Sequence, residues 1–242
     1  PSVLYGLRGV GKTVLLTTMR DAAEGEGMAI VAIEAPENRS LPGILVPALR
    51  ATLLRLDRMK QASDGVKRAL RALAGFAKLK VKYDDLEVGL DFDVEPGLAD
   101  SGDLEADLAD LLVAIGDAAR EKGSAVVLVI DELQYVPEEQ LAALISALHR
   151  ASQKQLPITM IAAGLPQLVG QMGRAKSYAE RLFEFVSVGP LDDHAARDAI
   201  RLPIEREGEA VDDAALEILD ADAGHVEQRH VVQFGRIGDR IE

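Results

Sequence analysis

The sequence predicts an α/β fold, a three-layer sandwich on a mostly parallel five-stranded sheet, and three observations carry that prediction. A glycine-rich octapeptide, GLRGVGKT at residues 6–13, joins a short apolar strand, Val3-Leu4-Tyr5, to a helix beginning near Lys12. An almost unbroken apolar run, AVVLVID from Ala125 to Asp131, is followed by Glu132; such a run reads as a parallel strand covered on both faces. Around these two landmarks strand-like and helix-like segments alternate, which is the pattern of βαβ units.

The elements follow in order. After the strand at Val3 comes an amphipathic helix over Lys12 to Ala23 and a second strand at Met28 to Glu34. Pro42 stands near a helix start, and Leu45, Leu49, Leu53 and Leu54 carry that helix to about Leu56. Val66, Leu70 and Leu73 mark another helix, and Leu104, Leu108, Leu111 and Ile115 line one face of a further one. A helix over Glu138 to Arg150 and strands at Ile158 to Ala163 and Phe183 to Val188 complete the sheet.

Between Phe76 and Val94 the apolar period changes to two. Ala77, Leu79, Val81 and Tyr83 alternate with Lys78, Lys80 and Lys82, and Leu86, Val88, Leu90 and Phe92 alternate with Glu87, Asp91 and Asp93. A turn at Asp84-Asp85 sets Lys82 opposite Glu87 and Val81 opposite Val88, so a β-hairpin insertion is expected at about residues 76–95. An isolated hairpin is marginal in water, so its apolar face requires cover from this chain, a second copy or a partner.

The octapeptide has the form GxxxxGK[ST], the phosphate-binding loop of P-loop NTPases. Gly6, Gly9 and Gly11 allow positive φ and bare backbone, so the N–H groups of Gly6, Leu7, Arg8, Gly9, Val10, Gly11, Lys12, Thr13 and Val14 are candidates to curl around the phosphates at a helix N-terminus. Lys12 reaches the β and γ phosphates in such a loop, and Thr13 supplies a hydroxyl of the right length for Mg²⁺. Asp131 ends its strand on the side where open α/β sheets collect ligands, as a second group toward Mg²⁺; Glu132 is the candidate to orient the attacking water.

Composition bounds the function. The 242 residues are 48% hydrophobic, enough to bury a core, and no cysteine is present, which excludes disulfides, thiolate zinc sites and cysteine nucleophiles. Four scattered histidines, with His225 and His230 five apart, form no metal constellation. Forty acidic against 27 basic residues give a net charge of −13, the wrong sign for a surface that grips nucleic acid. The one pronounced positive stretch, Arg58 to Lys82, reads as a solvated helix face followed by a charged hairpin strand. No run reaches the roughly 18 apolar residues that span a bilayer, and the start has no signal-peptide pattern, so the expectation is a cytoplasmic protein with no membrane association. The opening at Pro1, without Met, reads as a piece of a longer chain.

GLRGVGKT, VLVIDELQ, TMIAAGLPQL and YAERLFEF, in that order, make residues 2–222 resemble bacterial AAA+-type or STAND-type ATPases, in the clade near the archaeal Orc1/Cdc6 initiators. The first two motifs are specific to P-loop NTPases; the later two suggest the clade. The resemblance implies strand order 5-1-4-3-2, a core over residues 1–190 and a partial helical lid over 191–242, with Asp192 or Asp193 capping a helix near Ala195 to Leu202 and another at Asp213 to Leu219. It also implies a polar residue at the end of the strand Ile158 to Ala163, toward the γ phosphate. This chain has Ala162, Ala163 and Gly164 there, with Gln167 a distant substitute. Arg181 precedes the last strand, about where these ATPases place an arginine that reaches a neighbouring subunit's nucleotide, and Arg174 competes for the role. The lid's Gly-x-Pro is replaced by Gly224-His225-Val226.

Three readings of function follow. The first is a module that binds and hydrolyses ATP with Mg²⁺, exchanges ADP, and couples nucleotide state to movement of the lid, an appended effector domain, a protein partner or a homo-oligomer. The second is a STAND-type switch that binds ATP without turnover, and the third an initiator-type ATPase whose DNA-binding domain lies outside this sequence. No guanine-reading NKxD-like motif is visible, which favours adenine.

Overall fold

The computed structural model describes residues 1–58, 64–80 and 98–210. Five strands form one sheet: β1 (Ser2–Tyr5), β2 (Ala29–Glu34), β3 (Val126–Asp131), β4 (Ile158–Gly164) and β5 (Glu184–Ser187). They lie in the order β2-β3-β4-β1-β5, which read from the other edge is 5-1-4-3-2, and every pairing is parallel. Parallel neighbours require long crossovers, and helices supply them: α1 (Lys12–Gly25), α2 (Leu41–Arg58), α3 (Asp64–Lys80), α4 (Leu104–Glu121), α5 (Glu138–Gln153), α6 (Gln167–Ala175) and α7 (Ala179–Leu182), with α8 (Asp193–Arg206) after β5.

The chain divides into two compact units: Pro1–Gly6 with Lys12–Ser187, and Leu7–Gly11 with the segment from Val188. In the first, Val126 to Ile130 of β3 are all buried, as a strand with both faces covered must be. Helices α2 to α5 pack side by side, and Leu141, Leu144, Ile145 and Leu148 set the apolar stripe of α5 at helical spacing. Ser40 caps α2 by accepting from Gly43 N at 3.2 Å, and Asp103 caps α4 by accepting from Ala106 N at 2.7 Å. The Asp107 carboxylate, 1% exposed, is satisfied by Ser101 N at 2.8 Å, Ser101 Oγ at 2.7 Å and Gly102 N at 3.1 Å, which fixes the chain entering α4. In the second unit Asp192 is the cap of α8, accepting from Ala195 N at 2.8 Å.

One expectation is corrected. Residues 76–80, read as the first strand of a hairpin, are the last turns of α3. The buried positions Val66, Ala69, Leu70, Leu73, Phe76 and Ala77 keep a spacing of three and four to the end, and Ala, Leu and Lys are strong helix formers. The remainder of the expected hairpin, residues 81–95, lies outside the described residues, as do the helix at Asp213 to Leu219 and the segment 224–242. Lys67, Arg68, Arg71 and Lys78 are exposed on α3, the solvated face that the basic stretch suggested.

Candidate functional site

The site starts where β1 ends. Tyr5 and Gly6 continue the sheet, with Gly6 N donating to Gly164 O at 3.3 Å, and the chain re-enters the same unit at Lys12, the first residue of α1. Lys12 is 8% exposed and its ammonium donates to Gly6 O at 3.0 Å, back to the residue that ends the strand side of the motif. The residues between, Leu7 to Gly11, belong to the second unit. Within them Gly9 and Gly11 take positive φ, 82° and 87°, the left-handed region where glycine carries no Cβ penalty. Gly6, the third glycine read as permitting positive φ, does not adopt it; it is buried at the strand end. Arg8 is exposed and Val10 partly so, and Leu7 and Val14 are large apolar side chains left 69% and 65% exposed.

Thr13 stands one residue into α1, and its hydroxyl donates to Asp131 Oδ2 at 2.7 Å across 118 residues of sequence. The other Asp131 oxygen accepts from Glu132 N at 2.8 Å, which fixes the carboxylate plane. Two hard oxygens from separate elements therefore meet beside the N-terminus of a helix. That donor set suits a Mg²⁺ ion, which takes few protein oxygens and fills its octahedron with water and phosphate.

Glu132 has φ 55° and ψ 36°, a left-handed backbone unusual for a residue with a Cβ. Its neighbour Leu133 is fully buried and opens a 3-10 turn, Leu133–Tyr135, held by Tyr135 N on Glu132 O at 3.1 Å. Anchoring Leu133 in the core while ending β3 at Asp131 leaves Glu132 to absorb the change of direction. Such strain is what functional sites tend to store.

Sequence reasoning did not single out Gln134. This side chain is 8% exposed; Oε1 accepts from Leu165 N at 3.0 Å, and Nε2 donates to Glu132 Oε2. It lies against the end of β4, since a Cβ built on Gly164 would come within 2.7 Å of Gln134 Oε1. A polar side chain from the neighbouring chain segment thus lies against the end of β4. Gln167, the substitute suggested by sequence, is exposed in the first turn of α6. The available signal was a lone amide between Leu133 and Val136, both buried.

The two candidate arginines are not drawn into this group by any hydrogen bond among the described residues. Arg181 is exposed on α7 just before β5, and Arg174 on α6 pairs with Glu138 at 3.5 Å.

The model of the family described as AAA ATPase domain matches residues 1–161. Among solved structures, the chain is similar to Cdc6p from Pyrobaculum aerophilum, with 14% identity, TM-score 0.45, and coverage of 82% of this chain and 41% of that one. It is similar also to the Orc1 protein of Aeropyrum pernix in complex with DNA, with 13% identity, TM-score 0.44, and coverage of 85% and 43%. The chain spans less than half the length of either. No curated protein matches it.

Proposed function

Because this chain belongs to the AAA ATPase domain family, we propose that it binds ATP with Mg²⁺ at residues 6–14 and hydrolyses it, coupling nucleotide state to movement of the segment from Leu191, of an appended domain or of a partner. The observation that carries this reading is the Thr13–Asp131 hydrogen bond, which joins the phosphate-loop helix to the acidic strand end at 2.7 Å.

Each residue then has a task. Backbone N–H groups from Gly6 to Val14 bind phosphate oxygens at the positive end of α1, and Lys12 exchanges Gly6 O for the β and γ phosphates. Thr13 and Asp131 hold Mg²⁺, which supplies charge neutralisation at the phosphates when bound. Glu132 orients water in line with the γ phosphorus and takes its proton as the O–P bond forms. The β–γ bridging oxygen leaves with ADP. Arg181, exposed on α7, would stabilise transition-state charge in trans at a neighbouring copy's nucleotide. The net charge of −13 argues against direct nucleic-acid binding by this segment.

Calorimetric titration with Mg·ATP and Mg·GTP, beside Lys12→Ala, tests the binding reading. Saturable ATP binding that Lys12→Ala abolishes supports it; no binding of either nucleotide overturns it. A STAND-type switch is favoured by one observation, that the last residues of β4 itself, Ala162, Ala163 and Gly164, carry no polar side chain, and would appear as ATP binding without phosphate release.

A further inference from the structure

We infer that Gln134 is a positioning residue for hydrolysis, setting the Glu132 carboxylate against the C-terminal end of β4; the inference rests on the hydrolytic reading above. Its amide has two faces and both are used. Leu165 N can only donate, so it fixes the carbonyl oxygen of Gln134 toward the end of β4 and turns the NH₂ to Glu132 Oε2. The bridge therefore has one orientation, and it ties an acidic side chain to the backbone just past the end of β4.

Three features show that the chain is built around this bridge. Gln134 is nearly inaccessible, so its amide is held by protein rather than water. The left-handed backbone of Glu132 turns the chain so that residues 132 and 134 point to the same place across the 3-10 turn. At position 164 the absence of a side chain leaves the room, because a Cβ would meet Leu168 Cδ2 at 2.6 Å and Gln134 Oε1 at 2.7 Å. Gly164 O in turn accepts from Gly6 N, so one short stretch of β4 touches both the start of the phosphate loop and the residue that holds Glu132. A carboxylate that must present an oxygen to one water loses most of its effect when displaced by about 1 Å, for which a rate loss of about 10²-fold is typical.

Two substitutions in the full chain separate positioning from packing. Gln134→Glu keeps the volume and an acceptor for Leu165 N and replaces the donor to Glu132 by a second carboxylate, whose like charge pushes the Glu132 side chain out of place. Gln134→Met keeps the volume and removes both. Phosphate release and equilibrium Mg·ATP binding are measured on both, with wild type and Glu132→Gln alongside. The expected result is a kcat lowered about 10- to 100-fold in Gln134→Glu as well as Gln134→Met, with Mg·ATP affinity of Gln134→Glu kept near wild type. Wild-type turnover in Gln134→Glu overturns the inference, since Gln134 then serves only Leu165 N, and the hydrolytic reading stands. Affinity and kcat falling together in Gln134→Glu also overturn it. Absence of any wild-type turnover that Glu132→Gln removes takes away the hydrolytic reading, and this role with it.

Discussion

The Thr13 hydroxyl and the Asp131 carboxylate meet at 2.7 Å, one at the start of α1 and the other at the end of β3, with β4 lying between β3 and the strand that leads into α1. Because α1 packs over β3 and β4, this bond is set by helix-on-sheet packing and not by local chain geometry. Thr13→Ala is expected to weaken Mg·ATP binding by about tenfold or more, the equivalent of one charge-assisted hydrogen bond, while Thr13→Ser stays close to wild type. Titration at fixed Mg²⁺ reads both; equal affinities for the two variants would contradict the role.

Lys12 is a buried cation, and burial of a charge opposes folding unless its partners compensate. Lys12→Met is therefore expected to abolish nucleotide binding and leave the melting temperature of the nucleotide-free protein equal to wild type or higher. A fall of several degrees without nucleotide would show that the lysine is primarily structural.

Strain at Glu132 makes a related prediction. A left-handed backbone costs a non-glycine residue about 1 kcal/mol, and glycine escapes that term. Glu132→Gly should lose turnover and keep or raise stability in denaturant unfolding. A marked loss of stability would mean that the carboxylate holds the turn together.

Gly116 sits inside α4, where replacement of glycine by alanine ordinarily gains up to about 1 kcal/mol. Here a Cβ would stand 2.8 Å from Leu156 Cβ and 3.1 Å from its Cδ1, so overpacking outweighs propensity. Gly116→Ala should destabilise by about 1–3 kcal/mol. Chemical denaturation decides the sign.

Glu105 on α4 receives Lys176 Nζ at 2.8 Å on each oxygen and Ser146 Oγ at 2.8 Å. The Lys176 bonds foremost, then Ser146, hold its carboxyl below the ordinary glutamate range. A depressed folded pKa gives stability that is present above the unfolded value of about 4.3 and is lost as pH falls through the folded one. Glu105 is half exposed, so the contribution stays under about 1 kcal/mol. Glu105→Gln should melt slightly below wild type at pH 7, and the two curves should converge under acid.

The sheet was legible because its strands are apolar runs with unambiguous ends, as Val126 to Asp131 shows. The phosphate loop was legible because glycine, lysine and threonine spacing is itself the chemistry. Lys78-Leu79-Lys80 was not, since a few alternating residues satisfy a strand and the end of a helix alike, and burial of Phe76 and Ala77 decides for the helix. The short helices α6 and α7 carry too few turns to announce a period. Gln134 escaped because its meaning depends on Leu165 and Gly164, residues that only the sheet brings near.

The most direct measurement is steady-state phosphate release from Mg·ATP over a range of protein concentrations, with Lys12→Ala and Glu132→Gln in parallel. Turnover that disappears in both variants is the predicted result, and a rise per subunit with concentration would indicate an oligomeric ATPase with shared sites. ATP bound tightly with no phosphate released at any concentration would contradict the account.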